Sequence, residues 1–116
     1  MTEHELIDEE HEFRVSFKPE LLDVHLAYNP DELHTTRARQ LGKVGDITFI
    51  AEAWWILSEV ITGNLNEVLK FYQVEGFKTE DEFKSVLTGI YPSYTKFFVH
   101  KLLRINEKIY SWIESD

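Results

Sequence analysis

The stretch "ELHTTRARQLGKVGD" (residues 32–46) gathers two threonines, two arginines and a histidine into six positions and then closes on a turn marked by Gly42 and Gly45. Residues 33–39 carry side chains of moderate strand preference, and a strand would send Thr35, Arg37 and Arg39 to one face and His34, Thr36 and Ala38 to the other. One face is then polar and cationic. A solvated edge strand uses Thr and Arg in the same way to discourage edge pairing, so the pattern suits a protected edge as well as the wall of a binding cleft.

Outward from that stretch, "EFRVSFK" (12–18) alternates Phe13, Val15 and Phe17 with Arg14, Ser16 and Lys18, the period of a strand with one buried face. Pro19 opens a short helix in which Leu21, Leu22, His25 and Leu26 fall at helical spacing, and "YNPDE" (28–32) stops it. "DITFIAEAWWILSEVI" (46–61) is rich in aromatic and β-branched residues and reads as two strands with a break near Glu52-Ala53. If Trp54 and Trp55 lie on a strand they point to opposite faces, so one indole should be partly exposed or covered by a helix. Asn64 with Glu67 forms a capping box for a helix over 64–72, striped by Leu65, Val68, Leu69 and Tyr72; Thr79 with Glu82 repeats the device over 79–91, striped by Phe83, Val86, Leu87, Ile90 and Tyr91. "YTKFFVHKLLRI" (94–105) is a long strand, and "NEKIYSWIE" (106–114) predicts a closing amphipathic helix with Tyr110 and Trp112. The order β-α-β-β-β-α-α-β-α lacks regular β-α alternation and predicts an α+β domain with a curved antiparallel sheet or small barrel, not a doubly wound parallel one.

Composition bounds the function. The chain has 116 residues, 43% hydrophobic and 14% aromatic, enough for one domain and one core. No apolar run reaches the roughly 20 residues of a membrane span, which predicts no membrane partner. There is no cysteine, which removes disulfides, thiolate metal sites and thiol nucleophiles, and the acidic N-terminus does not read as a secretory signal, so a cytoplasmic protein is expected. Residues 1–11 hold five Asp/Glu and are expected to form a disordered acidic leader to a domain over 12–116; His4 and His11 there lack a third neutral ligand, and no metal or cofactor is expected. A net charge of −9 repels phosphate backbones on average, so any nucleic-acid role depends on a local cationic patch.

The residues able to form such a patch are Arg37, Arg39 and Lys43, extended by His100, Lys101 and Arg104 if the last strand lies beside an early one. No phosphate loop, G-x-S-x-G elbow or His-Glu-x-x-His is present. The remaining catalytic candidates are the Thr35 or Thr36 hydroxyl as nucleophile and Glu75, in the turn between two helices, as acid or base. A carboxylate ahead of a helix-ending glycine that simply faces water is the structural alternative for Glu75.

The succession "HTTR" (34–37), "GKVGD" (42–46), "VEGF" (74–77), an acidic Phe-containing helix and "IYPSYTKFFVHKLLRI" (90–105) resembles the ASCH domain, a PUA-like family, across roughly residues 13–105. The resemblance implies a small open β-barrel of about five to six strands with flanking helices. It also implies a cleft, lined by the Thr-Arg strand and the Glu of the VEGF turn, that binds RNA or a nucleotide-like small molecule. On it the ligand-binding set is Thr35, Thr36, Arg37, Arg39, Lys43, Glu75 and His100, in a chain expected to be a monomer. Some small members of the family are amidohydrolases acting on acetylated cytidine, with a Lys-x-x-Thr-x-Arg pattern and a later glutamate. Laid on this chain that set gives Thr35, Arg37 and Glu75 as its members, while the lysine position holds Glu32, where a carboxylate stands in place of an activating amine. A binding module is therefore the first expectation, an amidohydrolase the second, and a protein-interaction module using the acidic leader and the C-terminal helix the third.

Overall fold

In the computed structural model, which describes residues 12–105, Pro19 occupies the first turn of α1 (Pro19–Tyr28), where its missing N–H leaves no bond unmade. There follow β1 (Glu32–Arg37), β2 (Ile47–Ile50), β3 (Ala53–Gly63), α2 (Leu65–Val68) continued by a 3₁₀ turn (Leu69–Phe71), α3 (Glu80–Ile90) and β4 (Phe97–Arg104). The strands form one antiparallel sheet in the order β1-β4-β3-β2. The last strand lies beside the first, as expected. The expected barrel of five to six strands is not formed: the sheet has four, with β1 and β2 at opposite edges, and it does not close.

The missing strand is the segment at 12–18. Phe13 donates its N–H to the Ile47 carbonyl (2.9 Å), and a single parallel bridge joins Glu12 to Ile47. Beyond it the chain keeps the inward-outward alternation of a strand without a partner. Phe13, Val15 and Phe17 pack inward as a coil across the sheet, which satisfies the apolar period without a ladder. The acidic leader and the C-terminal helix with Tyr110 and Trp112 lie outside the described residues.

Each face of the sheet carries a core. Phe13, Leu33, Ile50, Trp55, Leu57 and Leu102 fill one, closed by Leu22 and Leu26 of α1; Val68, Leu69, Phe83, Leu87, Phe97 and Val99 fill the other, under the helices. A bulge at Ser58 lets β3 serve both. The extra residue places Leu57 opposite Leu102 and Val60 opposite His100, so two positions three apart share a face that strict alternation would deny them. Ser58 anchors the bulge by donating its hydroxyl to the Lys101 carbonyl at 3.1 Å. The tryptophans divide as expected: Trp55 is buried and donates its indole N–H to Ile50 (3.0 Å), whereas Trp54 is half-buried against Phe49.

Both helix caps form. Asn64 and Glu67 make the complete reciprocal box, but the helix that it starts is one α-turn and one 3₁₀ turn long. Thr79 accepts from the Glu82 N–H, while the Glu82 carboxylate reaches back to the Lys78 N–H, one residue before the cap.

The β2–β3 hairpin turns at Ala51 and Glu52, whose φ angles of 51° and 62° are left-handed. Two such residues are what a tight type I′ hairpin needs, and Ala and Glu are poorly suited to it. Left-handed backbone at a non-glycine residue costs on the order of 1 kcal/mol or more. Replacing the pair with Asn-Gly (A51N together with E52G) is therefore expected to stabilise the protein by about 1 kcal/mol. Urea unfolding at constant slope reads the shift, and an unchanged or lowered midpoint contradicts it.

Candidate functional site

Glu75 is set by the chain immediately around it. Past the 3₁₀ turn, Phe77 donates its N–H to Tyr72 (2.9 Å) and Gly76 donates to Gln73 (2.9 Å), the paired bonds of a glycine-terminated helix end with Gly76 at φ 87°. Gly76 is required twice over. Besides its backbone angle, a Cβ there would stand 2.6 Å from the Val24 side chain of α1 and 3.2 Å from the Val24 carbonyl. The turn thus seats against α1 and drives Glu75 inward, where it is 3% exposed. The solvated alternative for this carboxylate does not hold.

Three elements meet on that carboxyl group. Thr36 of β1 donates its hydroxyl to Glu75 Oε2 at 3.0 Å. His25 of α1 places Nε2 3.5 Å from Glu75 Oε1, an ion-pair distance longer than a hydrogen bond, and Nε2 has no other partner among the described residues. The other ring nitrogen is fixed, since Nδ1–H donates to the Leu21 carbonyl one helical turn back (2.6 Å). With Nδ1–H committed, Nε2 is the ring atom that faces Glu75 Oε1. With one proton on either of those atoms, as imidazolium and carboxylate or as imidazole and carboxylic acid, the pair carries no net charge.

The surroundings set the proton affinities. Burial pushes the Glu75 carboxyl above its ordinary range, against the opposing pull of His25, Thr36 and Arg37. Burial works the other way on His25, but the Glu75 carboxylate, together with the backbone groups of Leu21 and His34, outweighs it and holds the imidazole above its ordinary value. His34 and His100 are shifted below theirs, chiefly by burial.

Beside this group opens a cleft of about 350 Å³ between the 16–18 segment, α1, β1, the VEGF turn and α3. Its floor is Thr35, Thr36, Glu75 and His25; its walls include Phe17, Phe83, Leu87 and Tyr91. Arg37 forms one side and is committed to the protein. Its Nε donates to Thr35 Oγ1 (2.9 Å), its Nη2 to the Ser16 carbonyl (2.6 Å), and the guanidinium lies 5.4 Å from the centre of the Phe17 ring. It clamps the coil wall of the cleft to β1.

The structure brings Thr35, Thr36, Arg37 and Glu75 together and separates the other candidates. Thr35 and Thr36 lie on opposite faces of β1, and the hydroxyl that meets Glu75 is that of Thr36; Thr35 instead accepts from Arg37. The strand ends at Arg37, so Arg39 does not continue its face and lines an adjoining recess. Lys43 is exposed in the 42–46 turn, which Asp46 closes by accepting from the Lys43 N–H (2.9 Å). His100 is fully buried, with Nε2 accepting from the Leu41 N–H (3.0 Å) and Nδ1 donating to the Thr35 carbonyl (3.2 Å), so it ties the loop after β1 to the sheet. Glu32 lines no part of the cleft. It pairs with Lys101 (3.5 Å) and His34 (3.7 Å) around a smaller recess. His25, the residue that completes the site, reads in the sequence only as one member of an apolar helical stripe; a titratable side chain inside that stripe is the signal it offers.

An open α+β sheet with a half-apolar cleft against its first strand is the class of structure that these features define. Its solved counterparts are ASCH from Zymomonas mobilis, with a TM-score of 0.59 and 16% identity over 93% of this chain and 82% of that one, and a serine-to-alanine variant of the same protein, with a TM-score of 0.60 and 17% identity over 95% and 84%. The chain has the ASCH fold. No protein-family model and no curated protein matches the sequence.

The influence of Glu75 on His25 gives a direct test. Because the folded-state affinity of His25 is raised, the stability that it contributes is present below the ordinary imidazole pKa and is lost as pH rises through the folded value. For His34 and His100, whose affinities are lowered, the contribution is present above the ordinary value and is lost as pH falls through theirs. An NMR titration of the imidazole protons should find His25 above 6.5 and the other two below. In Glu75→Gln only the Leu21 and His34 backbone groups still oppose burial, and the His25 midpoint should fall. An unchanged His25 midpoint in the variant would show that Glu75 does not hold its proton.

Proposed function

We propose that the cleft binds a small nucleoside-like ligand, with the heterocycle between the apolar walls and its polar edge on Thr36, Glu75 and His25. The observation that carries this reading is the buried Glu75–His25 pair in the floor of a cleft of about 350 Å³. That volume falls at the small end of the range for small-molecule sites, and apolar walls with a few convergent polar groups are their usual composition. A neutral pair that moves its proton between two atoms offers either a donor or an acceptor to an amide-like base edge without adding charge. RNA supplies such ligands, and a nucleotide in an RNA chain is the wider form of the same reading. A net charge of −9, with Arg37 spent on Ser16 and Thr35, argues for a ligand held by shape and hydrogen bonds more than by its phosphates.

A second reading, an amidohydrolase acting on an acetylated cytidine, is favoured by the 3.0 Å contact between Thr36 Oγ1 and Glu75 Oε2, a hydroxyl already donating to a carboxyl group of raised proton affinity. The hydroxyl in that geometry is Thr36, one residue beyond the position that the family pattern implies.

Titration of the four ribonucleosides and of acetylcytidine, followed by amide resonances, distinguishes these readings. Binding should shift resonances at residues 16–21, 35–37, 75–77 and 83–91, and Thr36→Val should weaken it about tenfold, the value of one hydrogen bond to a charged or charge-sharing group. Release of acetate from acetylcytidine, lost in both Thr36→Val and Glu75→Gln, would establish the hydrolase. Shifts confined to other surfaces would overturn both.

A further inference from the structure

The cleft does not end at Arg37. Arg37 and Tyr91 also line a second recess of about 270 Å³, which adjoins the first across these two side chains and is completed by Ala38, Arg39, Leu41 and Tyr94. Its chemistry differs from that of the cleft. Arg39 is exposed and, among the described residues, makes no ion pair or side-chain hydrogen bond, in contrast to Arg37 two residues earlier. Tyr94 is 56% exposed and is braced edge-on by Tyr91, with ring centres 5.5 Å apart, so one face is held for stacking while the ring stays open to solvent.

We propose that this second recess is the subsite for the neighbouring nucleotide of a single-stranded RNA segment, with the linking phosphodiester on the Arg39 guanidinium and the adjoining base or ribose on Tyr94. The inference rests on the reading of the first cleft as a nucleoside site and extends its ligand from a free nucleoside to a nucleotide within a strand. A guanidinium with unused donors matches a phosphate, and an exposed tyrosine face takes any base by stacking without reading its sequence. The acidic balance of the chain limits the contact. With a net charge of −9 the protein repels a long phosphate backbone, so a single unpaired arginine next to the base pocket suits one phosphate, not a tract. Lys18, at the rim of the first cleft, is the competing cation, but it is an exposed side chain at the start of α1 with no aromatic partner.

The test compares each ribonucleoside with the corresponding 3′-5′ ribodinucleoside monophosphates, carrying the base on either side, by calorimetry on the full chain. The best dinucleotide should bind about tenfold tighter than its nucleoside, as one charge-assisted contact gives. That gain should shrink as salt is raised, because added ions screen a solvent-exposed arginine–phosphodiester pair. Arg39→Ala should remove most of the gain, Tyr94→Ala should remove part of it, and Lys18→Ala should keep it. A nucleoside that binds with no gain in any dinucleotide overturns the subsite and leaves the cleft reading intact. A gain abolished by Lys18→Ala but not by Arg39→Ala also overturns it, because the phosphate then lies at the opposite rim. Absence of binding by nucleosides and dinucleotides alike overturns both readings.

Discussion

A carboxyl group buried between a helix, a strand and a turn is the constraint on which this structure depends. Glu75 has almost no contact with water, and an isolated carboxylate in that position would be prohibitive. It is tolerable because Thr36 donates to one oxygen and His25 stands against the other, and each partner arrives on a different element. The Gly76 turn has to seat on Val24, α1 has to present His25 at the right height, and β1 has to turn Thr36 rather than Thr35 toward the turn. Removing one member of such a buried pair leaves the other uncompensated, typically at about 3–5 kcal/mol, whereas replacing the pair with well-packed apolar side chains is often neutral or favourable. Stability alone does not require this arrangement. The pair instead forms part of the floor of a cleft.

The same contact explains how an open sheet is finished at its first edge. β1 has only β4 as a neighbour, yet Leu33, His34, Thr35 and Thr36 are all buried. A bare edge strand with four buried residues would invite pairing with another chain. Here α1 lies along it, with Leu22 and Leu26 in the core on one face and Val24 and His25 against the Gly76 turn on the other. His34 adds to the seal by stacking on Phe71. A barrel removes its edges by closing; this sheet protects one with a helix, and the space left between that helix, the Arg37 clamp and α3 is the cleft.

Much of this was legible from local chemistry. Pro19, the Asn64 and Thr79 caps, Pro92 beyond α3 and the glycines of the 42–46 turn act on neighbours in sequence, so their consequences are readable without knowledge of the fold. The failures are each non-local. Phe13, Val15 and Phe17 alternate because they cover a core, and nothing in their order says whether a neighbouring strand is there to pair with them. The Ser58 bulge breaks the alternation of β3 to serve two cores, a need set by β4. Thr35 and Thr36 are chemically equivalent in the sequence, and only the docking of the Gly76 turn decides which hydroxyl meets Glu75. His25 is hidden for a related reason: an imidazole in an apolar stripe is core in most helices, and it becomes part of a site here because a carboxyl group comes to it from a turn 50 residues away in the chain.

Charge completes the same logic. An acidic chain that gathers a histidine, two threonines and two arginines between residues 34 and 39 would be expected to display them as a basic surface. Instead the cationic groups are largely absorbed into the fold: Arg37 holds the Ser16 carbonyl and Thr35, Lys101 faces Glu32, and His100 joins two backbone groups while kept neutral by burial. The "HTTR" stretch therefore contributes hydrogen-bonding groups to the floor of the cleft rather than a positive patch. The polarity of that floor is also contained: a lone buried charge would carry a large desolvation penalty, whereas Thr36, Glu75 and His25 stand against one another, each on a different element, so the polar groups beneath the cleft are partnered within the fold.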